Sequence, residues 1–346
     1  MVQLLLIFSI LFVCLVAFSG SLQHHINTHH EKYHVLHHHI LQRMHHEATV
    51  NTDAASFDSS PIVILHGLLG SSRNFRTWSH ILHQKFSENR DVISLDLRNH
   101  GKSSTKLGPL PVQYEAMAMD VATTLNELKV TKCHIVGHSM GGKVGAAMAI
   151  SPKVEELYKG DILSLTMMDI SPIAYSKEDL DQVVYSIHSL YNLSKEFEHA
   201  TITKEQLTSR IQSLFAHDPT MALFLLSNMQ LNSQGKVQWS FQIDSIYKSL
   251  DHILSFIEPP HDDDDVDDSD YVPTRRLWRS TIPTLLMKGS KSKFIRAHHL
   301  PAISSLFPRY TLKTIRDAAH WLHIDQPEQS ASAYVEFIQQ VVPASQ

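Results

Sequence analysis

Gly137-His138-Ser139-Met140-Gly141 stands directly after an apolar run, Cys133 to Val136, and directly before a stretch of small residues ending at Ala149. A sharp strand-to-helix turn at this pattern holds Ser139 in a strained backbone conformation and lifts its hydroxyl clear of the sheet. Glycines flank the serine because side chains there would collide with neighbouring backbone. Ser139 is the candidate nucleophile, and the helix N-terminus sets the Met140 amide beside any oxyanion formed there. A second donor comes from Ile62 to Gly70, where a strand runs into His66-Gly67 and the Leu68 amide follows. A serine hydroxyl also needs a base. Tyr310 to Ile315 reads as the last strand, and Ala318-Ala319-His320-Trp321 follows it, with small residues that let the loop lie near the serine. His320 is the candidate base, and His323 reads as a loop packing residue. Together these groups can do acyl transfer: hydroxyl attack on a carbonyl, proton capture by imidazole, and oxyanion binding by two amides. A nucleotide-binding turn is excluded because the third-glycine spacing of that fingerprint fails.

Such groups need a scaffold that gathers them. Ile62 to Leu65, Asp91 to Asp96, Cys133 to Val136, Ile162 to Met168, Ile282 to Met287 and Tyr310 to Ile315 are short apolar runs suited to strands buried on both faces. Helical patterns separate them at 74–86, 114–128, 140–150, 298–306 and 328–341. The alternation predicts an α/β fold: a mostly parallel sheet with helices on both faces and right-handed crossovers. Residues 171 to about 258 break the rhythm and read as helical throughout, with an apolar stripe at Leu180, Val183, Val184, Ile187 and Leu190. They form an insertion long enough to be a cap. Asp96 and Arg98, after the second strand, read as loop braces.

The motifs taken together resemble one branch of the α/β-hydrolases. They are Leu65 to Gly70 with Asn74-Phe75, Asp96 to Ser103, Gly137 to Lys143, Met168 to Pro172 and His320-Trp321. The branch is that of the abhydrolase domain-containing protein 11 type and its small bacterial esterase relatives, and the likeness covers about residues 60 to 342. It implies a serine esterase acting on acyl esters or thioesters, lipid substrates included, without a cofactor. Animal members of the branch are mitochondrial, and the leader, histidine tract and aspartate run of this chain have no expected counterpart in it.

The triad acid is missing from its usual place. Most members of the fold carry an aspartate after the strand corresponding to Ile282 to Met287. Here Lys288-Gly289-Ser290-Lys291-Ser292-Lys293-Phe294 follows, without a carboxylate. Two candidates remain. Asp169 ends the strand after the nucleophile helix, at the carboxyl edge of the sheet where sites gather. Asp244 lies in the cap, and the resemblance matches it too. A rigid strand end holds a carboxylate better than a cap does, so Asp169 is preferred and Asp244 is the reserve.

Composition narrows the rest. The 346 residues are 43% hydrophobic and 19% charged, which suits a sizeable core in one large or two small domains. Thirty Lys and Arg against 35 Asp and Glu give a charge of −5, with no basic surplus to favour nucleic acid. Cys14 and Cys133 are the only cysteines, which excludes a disulfide framework and a cysteine-based zinc site. Leu4 to Phe18 is apolar but shorter than the roughly 20 residues of a spanning helix. Residues 1–21 are expected to be a signal peptide processed near 17–21, or an uncleaved anchor that associates the chain with a membrane. Either leads to the secretory pathway or a membrane, with an organelle (mitochondrion or plastid) as the alternative. Residues 22–60, dense in histidine, are expected to be a disordered linker, and 61–342 the hydrolase domain. Seven aspartates between His261 and Asp270 mark an acidic surface insertion at about 259–273; they lack the glycine and closing glutamate of a calcium loop. No spacing fixes a metal site, and the resemblance implies no cofactor. The expected substrate is a small-molecule acyl ester, and nothing in the pattern sets an oligomeric state. Two rivals remain: an acyltransferase with the same triad, and a ligand-binding module on a hydrolase fold. The second is disfavoured because Ser139 and His320 are both present.

Overall fold

The computed structural model describes residues 33–42, 58–87, 89–197, 203–231, 237–257 and 278–341. The leader and the aspartate run lie outside them. The described residues from His34 onward form one compact unit. Among the described residues no helix is long and apolar enough to cross a membrane.

Strands β1 (His37–Leu41), β2 (Ile62–Leu65), β3 (Val92–Asp96), β4 (Lys132–His138), β5 (Asp161–Met168), β8 (Thr284–Gly289) and β9 (Tyr310–Ile315) make one sheet. Its order is β1-β3-β2-β4-β5-β8-β9. All pairs are parallel except β1 with β3. Helices α1 (Arg76–Lys85), α2 (Gly101–Leu107), α3 (Tyr114–Glu127), α4 (Met140–Ile150) and α5 (Pro152–Leu157) fall between the early strands. Helix α11 (Leu300–Leu306) separates β8 from β9, and α12 (Leu322–Asp325) and α13 (Pro327–Val341) close the chain.

Side-chain alternation divides the central strands between two cores. Ile62, Ile64, Val136, Met168, Leu285 and Met287 join Trp78 of α1 and Tyr334 and Phe337 of α13 in one apolar cluster. Trp78 Nε1–H donates to Ser330 Oγ at 3.0 Å and so fixes α1 against α13. On the other face α4 packs against β2, β4, β5 and α3. Burial on both faces makes these strands continuous apolar runs rather than alternating ones.

Three expectations need correction. The histidine-dense segment 22–60 is not a disordered linker where it is described. His37–Leu41 is an edge strand in antiparallel register with β3, from His37 opposite Asp96 to Leu41 opposite Val92. The backbone of this stretch is taken up by the domain: the N–H groups of His34, Leu36 and His37 donate to Asp120 Oδ1, Thr124 Oγ1 and Ser103 Oγ. Imidazoles half-exposed on a sheet edge hide the usual strand pattern. The cap interval is not helical throughout either. It holds α6 (Asp181–Glu196), α7 (Lys204–Leu214), α8 (Pro219–Ser227), α9 (Ile243–Lys248) and α10 (Leu250–Leu254), but also the antiparallel pair β6 (Met229–Leu231) and β7 (Val237–Trp239). Strands of three residues are too short to show a period. Finally, His323 packs from α12, not from a loop.

Candidate active site

Strand β4 delivers Ser139 to the carboxyl edge of the sheet, and α4 starts at the next residue. Ser139 has φ 52° and ψ −120°, a conformation that costs a side-chain-bearing residue about 1–3 kcal/mol. The surroundings impose it. Ser139 N–H donates to Met168 O at 3.0 Å, and Ser139 O accepts from the N–H groups of Gly142 and Lys143 at 2.8 and 3.2 Å. A Cβ on Gly137 would lie 2.1 Å from Gly141 O, and one on Gly141 would lie 2.2 Å from Leu65 O, so both positions require glycine. Among residues 133–148 only Ser139 is half-exposed; all the others are buried.

The β2 loop comes close to this turn. A Cβ on Gly67 would lie 3.3 Å from Ser139 Cβ. Two buried histidines, one in the loop after β2 and one after β3, hold it in reciprocal fashion. His66 Nδ1–H donates to Gly67 O at 2.8 Å, and its Nε2 accepts from Leu97 N–H at 3.0 Å. His100 Nδ1–H donates to Arg98 O at 2.8 Å, and its Nε2 accepts from Leu69 N–H at 3.1 Å. Each ring is thus fixed as the neutral Nδ1–H tautomer. Burial lowers both pKa values, that of His100 to about 3. With Leu69 N–H engaged there and Gly70 N–H donating to Gly67 O at 3.1 Å, the loop amides on either side of the turn are occupied. The Leu68 and Met140 amides have no protein acceptor among the described residues.

His320 and Asp169 meet across the ends of β5 and β9. His320 Nδ1–H donates to Asp169 Oδ2 at 2.8 Å. Asp169, fully buried with φ 54°, is fixed by its own N–H donating to Met287 O at 2.7 Å. Gly289 N–H donates to its Oδ1 at 3.0 Å, and Ser292 Oγ–H donates to its Oδ2. The loop after β8, which carries no carboxylate, therefore supplies donors to the carboxylate of β5. Phe294 from that loop stacks on the His320 ring, with centroids 3.8 Å apart and planes 16° from parallel. His138 Nε2–H donates to His320 O at 2.8 Å. His138 is held neutral, its pKa well below the usual imidazole range through burial and then through the neighbouring His320 and His323. His320 Nε2 is left with its lone pair. No hydrogen bond joins it to Ser139 Oγ here, but both residues line one cavity, and such contacts commonly tighten only with substrate bound.

The cavity has a volume of about 590 Å³, within the range of small-molecule sites. Leu68, Leu69, Met140 and Ile170 line its floor region, and Leu180, Val183, Met221 and Phe224 contribute from the cap. Asp244 is elsewhere: it sits half-exposed on α9 in an ion pair with Lys195 Nζ at 2.9 Å and does not line the cavity. His323 lies stacked on Phe75, with centroids 3.9 Å apart, and burial lowers its pKa to about 3. Asp96 and Arg98 are braces: Asp96 accepts from Ser72 and Lys102 N–H, and Arg98 Nε–H donates to Asp120 at 2.7 Å. Among the described residues no group of His, Cys, Asp and Glu is placed to hold a metal ion. Sequence reasoning missed Ser292, Gly289 and Phe294 as supports of the pair. The signal was present in the polar run after β8, at the place where the acid was absent.

Residues 60–327 match the alpha/beta hydrolase fold family. The chain is 32% identical to the sn-1-specific diacylglycerol lipase ABHD11 of Danio rerio, over 82% of this chain and 79% of that protein. It is 29% identical to a "Probable alcohol acetyltransferase" of Saccharomyces cerevisiae, over 81% of this chain and 77% of that one. Among solved structures, a marine microorganism esterase superposes with a TM-score of 0.67 at 25% identity, covering 87% of this chain and 99% of that chain.

Proposed function

The chain belongs to the α/β-hydrolase family and is a carboxylic ester hydrolase, and from that premise we propose that it cleaves acyl esters through a serine acyl-enzyme. Ser139 is the nucleophile, His320 the base and Asp169 the acid, with the Leu68 and Met140 amides as oxyanion donors. The observation that carries this reading is the 2.8 Å bond to the buried Asp169 from His320, which lines the same cavity as Ser139. His320 Nε2 takes the Ser139 proton as the oxygen bonds to the carbonyl carbon. The tetrahedral oxyanion collapses, the carbon–oxygen bond to the alcohol breaks, and His320 returns its proton to that alcohol. Water then repeats the sequence on the acyl-enzyme and regenerates Ser139. Asp169 keeps the ring in the Nδ1–H tautomer and stabilises the imidazolium. The apolar cavity walls suit a fatty acyl group, and the likeness to a diacylglycerol lipase favours a glycerolipid ester as the substrate class. In Ser139→Ala, hydrolysis of p-nitrophenyl esters and labelling by a fluorophosphonate are both expected to disappear while the melting transition persists. Activity retained in a folded Ser139→Ala protein would sink the mechanism.

A second reading is transfer of the acyl group to an alcohol instead of water. The likeness to a named alcohol acetyltransferase favours testing it. Incubation of an acyl ester with ethanol or glycerol, with products separated by chromatography, distinguishes the two: hydrolysis yields the free acid, transfer yields a new ester.

A further inference from the structure

The lining of the candidate site's cavity includes one buried basic group that the proposed chemistry does not use. Lys143 stands one turn beyond Ser139 on α4, and its side chain is only 1% exposed. Its Nζ donates to Ser255 O at 2.7 Å and reaches Leu254 O at 3.4 Å, at the end of α10. The same nitrogen lies over the rings of Tyr175 and Tyr114, 4.8 and 5.1 Å from their centroids. These two tyrosines bind the same stretch of chain. Tyr114 Oη–H donates to Ile253 O at 2.7 Å, and Tyr175 N–H donates to Leu254 O at 2.8 Å. Tyr175 also reaches the loop that supports His320, where its Oη–H donates to Phe294 O at 2.6 Å. The chain leaves the sheet edge through Asp169 to Tyr175 and packs back against it at Ile253 to Ser255. Both ends of the cap interval therefore meet at one ammonium group.

We propose that Lys143 is a positioning residue that fastens both ends of the cap to the helix bearing the nucleophile, and that its charge governs capture of long acyl chains rather than the chemical step. The inference rests on the serine mechanism above. An ammonium held between aromatic faces and carbonyls makes a stronger attachment than a neutral amine in the same place. The acids nearest to it among the described residues have other partners: on α3, Glu115 is engaged by Ser151 and Lys153, and Asp120 by Arg98; at the two ends of the segment that carries Tyr175, Asp169 is engaged by His320 and Asp179 by Arg296. Tyr114 and Tyr175 face it, and burial raises both phenol pKa values, so they stay neutral. Burial alone lowers the ammonium to about 7. The charge is present below that pH and lost above it, so the attachment weakens as the solution turns alkaline.

The test is steady-state kinetics of the full chain and of its Lys143→Met and Lys143→Arg variants. The substrates are p-nitrophenyl acetate and p-nitrophenyl laurate, assayed from about pH 6 to about pH 9, with fluorophosphonate labelling of Ser139 alongside. In the wild type, KM for laurate is expected to rise about threefold or more across this range while acetate shows no matching rise. Any pH dependence of the chemical step appears in kcat, so it is separable from the change in KM. Lys143→Met is expected to show laurate KM raised about tenfold at pH 6, with little further pH dependence. Lys143→Arg, which keeps its charge at every pH used, is expected to hold a low and flat KM. A Lys143→Met protein that labels normally and keeps the wild-type laurate KM profile overturns the proposal. If that variant does not fold, a flat wild-type KM profile for laurate overturns it instead. A wild type that fails to label overturns the serine mechanism, and this inference with it.

Discussion

Three donors converge on the carboxylate of Asp169 from two loops: His320 from the chain after β9, and Gly289 and Ser292 from the end of β8 and the loop beyond. A buried carboxylate so bonded is an acceptor of fixed direction, which is what an orienting acid must be. Asp169→Asn is expected to lower kcat by about 10⁴, since the amide upsets the tautomer that leaves Nε2 free. Asp244→Asn, altering a half-exposed ion pair, is expected to change kcat by less than about threefold. If the two effects are reversed in folded proteins, Asp244 is the acid. Ser292→Ala removes one charge-assisted bond and is expected to lower kcat about ten- to a hundredfold. The residue types alone do not make a site. Asp58, His134 and Ser164 also form an Asp–His–Ser chain, with His134 Nε2–H donating to Asp58 Oδ2 at 2.7 Å and His134 Nδ1 2.9 Å from Ser164 Oγ. His134 and Ser164 are fully buried, and none of the three lines the cavity. Ser164→Ala is expected to leave ester hydrolysis unchanged, and a large loss of kcat there would contradict this reading.

Loops after parallel strands are brought together by the sheet, but their exact height above it needs further bonds. The reciprocal histidines give the β2 and β3 loops those bonds, and the loop they hold carries the Leu68 amide. His100→Phe keeps the ring and leaves the buried Leu69 N–H without its acceptor, at a cost of about 1–3 kcal/mol. The expected outcome is a lower melting temperature together with kcat reduced by about tenfold or more, as the oxyanion donor moves. A protein destabilised by that amount with unchanged kcat would separate the brace from the proposed oxyanion hole.

Histidine also sets how the whole molecule answers to pH. Burial lowers the pKa values of His66, His100, His134, His138 and His323, those of His100 and His323 to about 3. Between the unfolded value of 6.5 and these folded values the unfolded chain binds more protons. The stability held by neutral rings is therefore complete above pH 6.5 and is lost progressively as pH falls toward about 3. The melting temperature is expected to drop across that window, by calorimetry or circular dichroism. His323→Phe retains a ring against Phe75 and removes one titrating group, so its melting temperature should fall less steeply with acid. An equal slope in both proteins would show that His323 contributes nothing to the loss.

The serine turn, the strands beside it and the family resemblance were legible in the sequence because each is written within a few consecutive residues. A Gly-x-Ser-x-Gly between an apolar run and small residues specifies its own strand, turn and helix, and buried parallel strands announce themselves by continuous apolar composition. The preference for Asp169 over Asp244 came from the same kind of local reading, a carboxylate at a strand end. Other features depend on partners distant along the chain. The strand at His37–Leu41 exists because β3 offers it an edge, and His66 and His100 meet only because the loops after β2 and β3, joined by two bonds that each span 31 residues, stand side by side. Ser292 faces Asp169 across 123 residues, and Lys143 reaches Ser255 across 112. Those contacts are decided when the sheet aligns its strand ends, because hydrogen bonds and packing act through space, and sequence patterns record only what neighbours along the chain require.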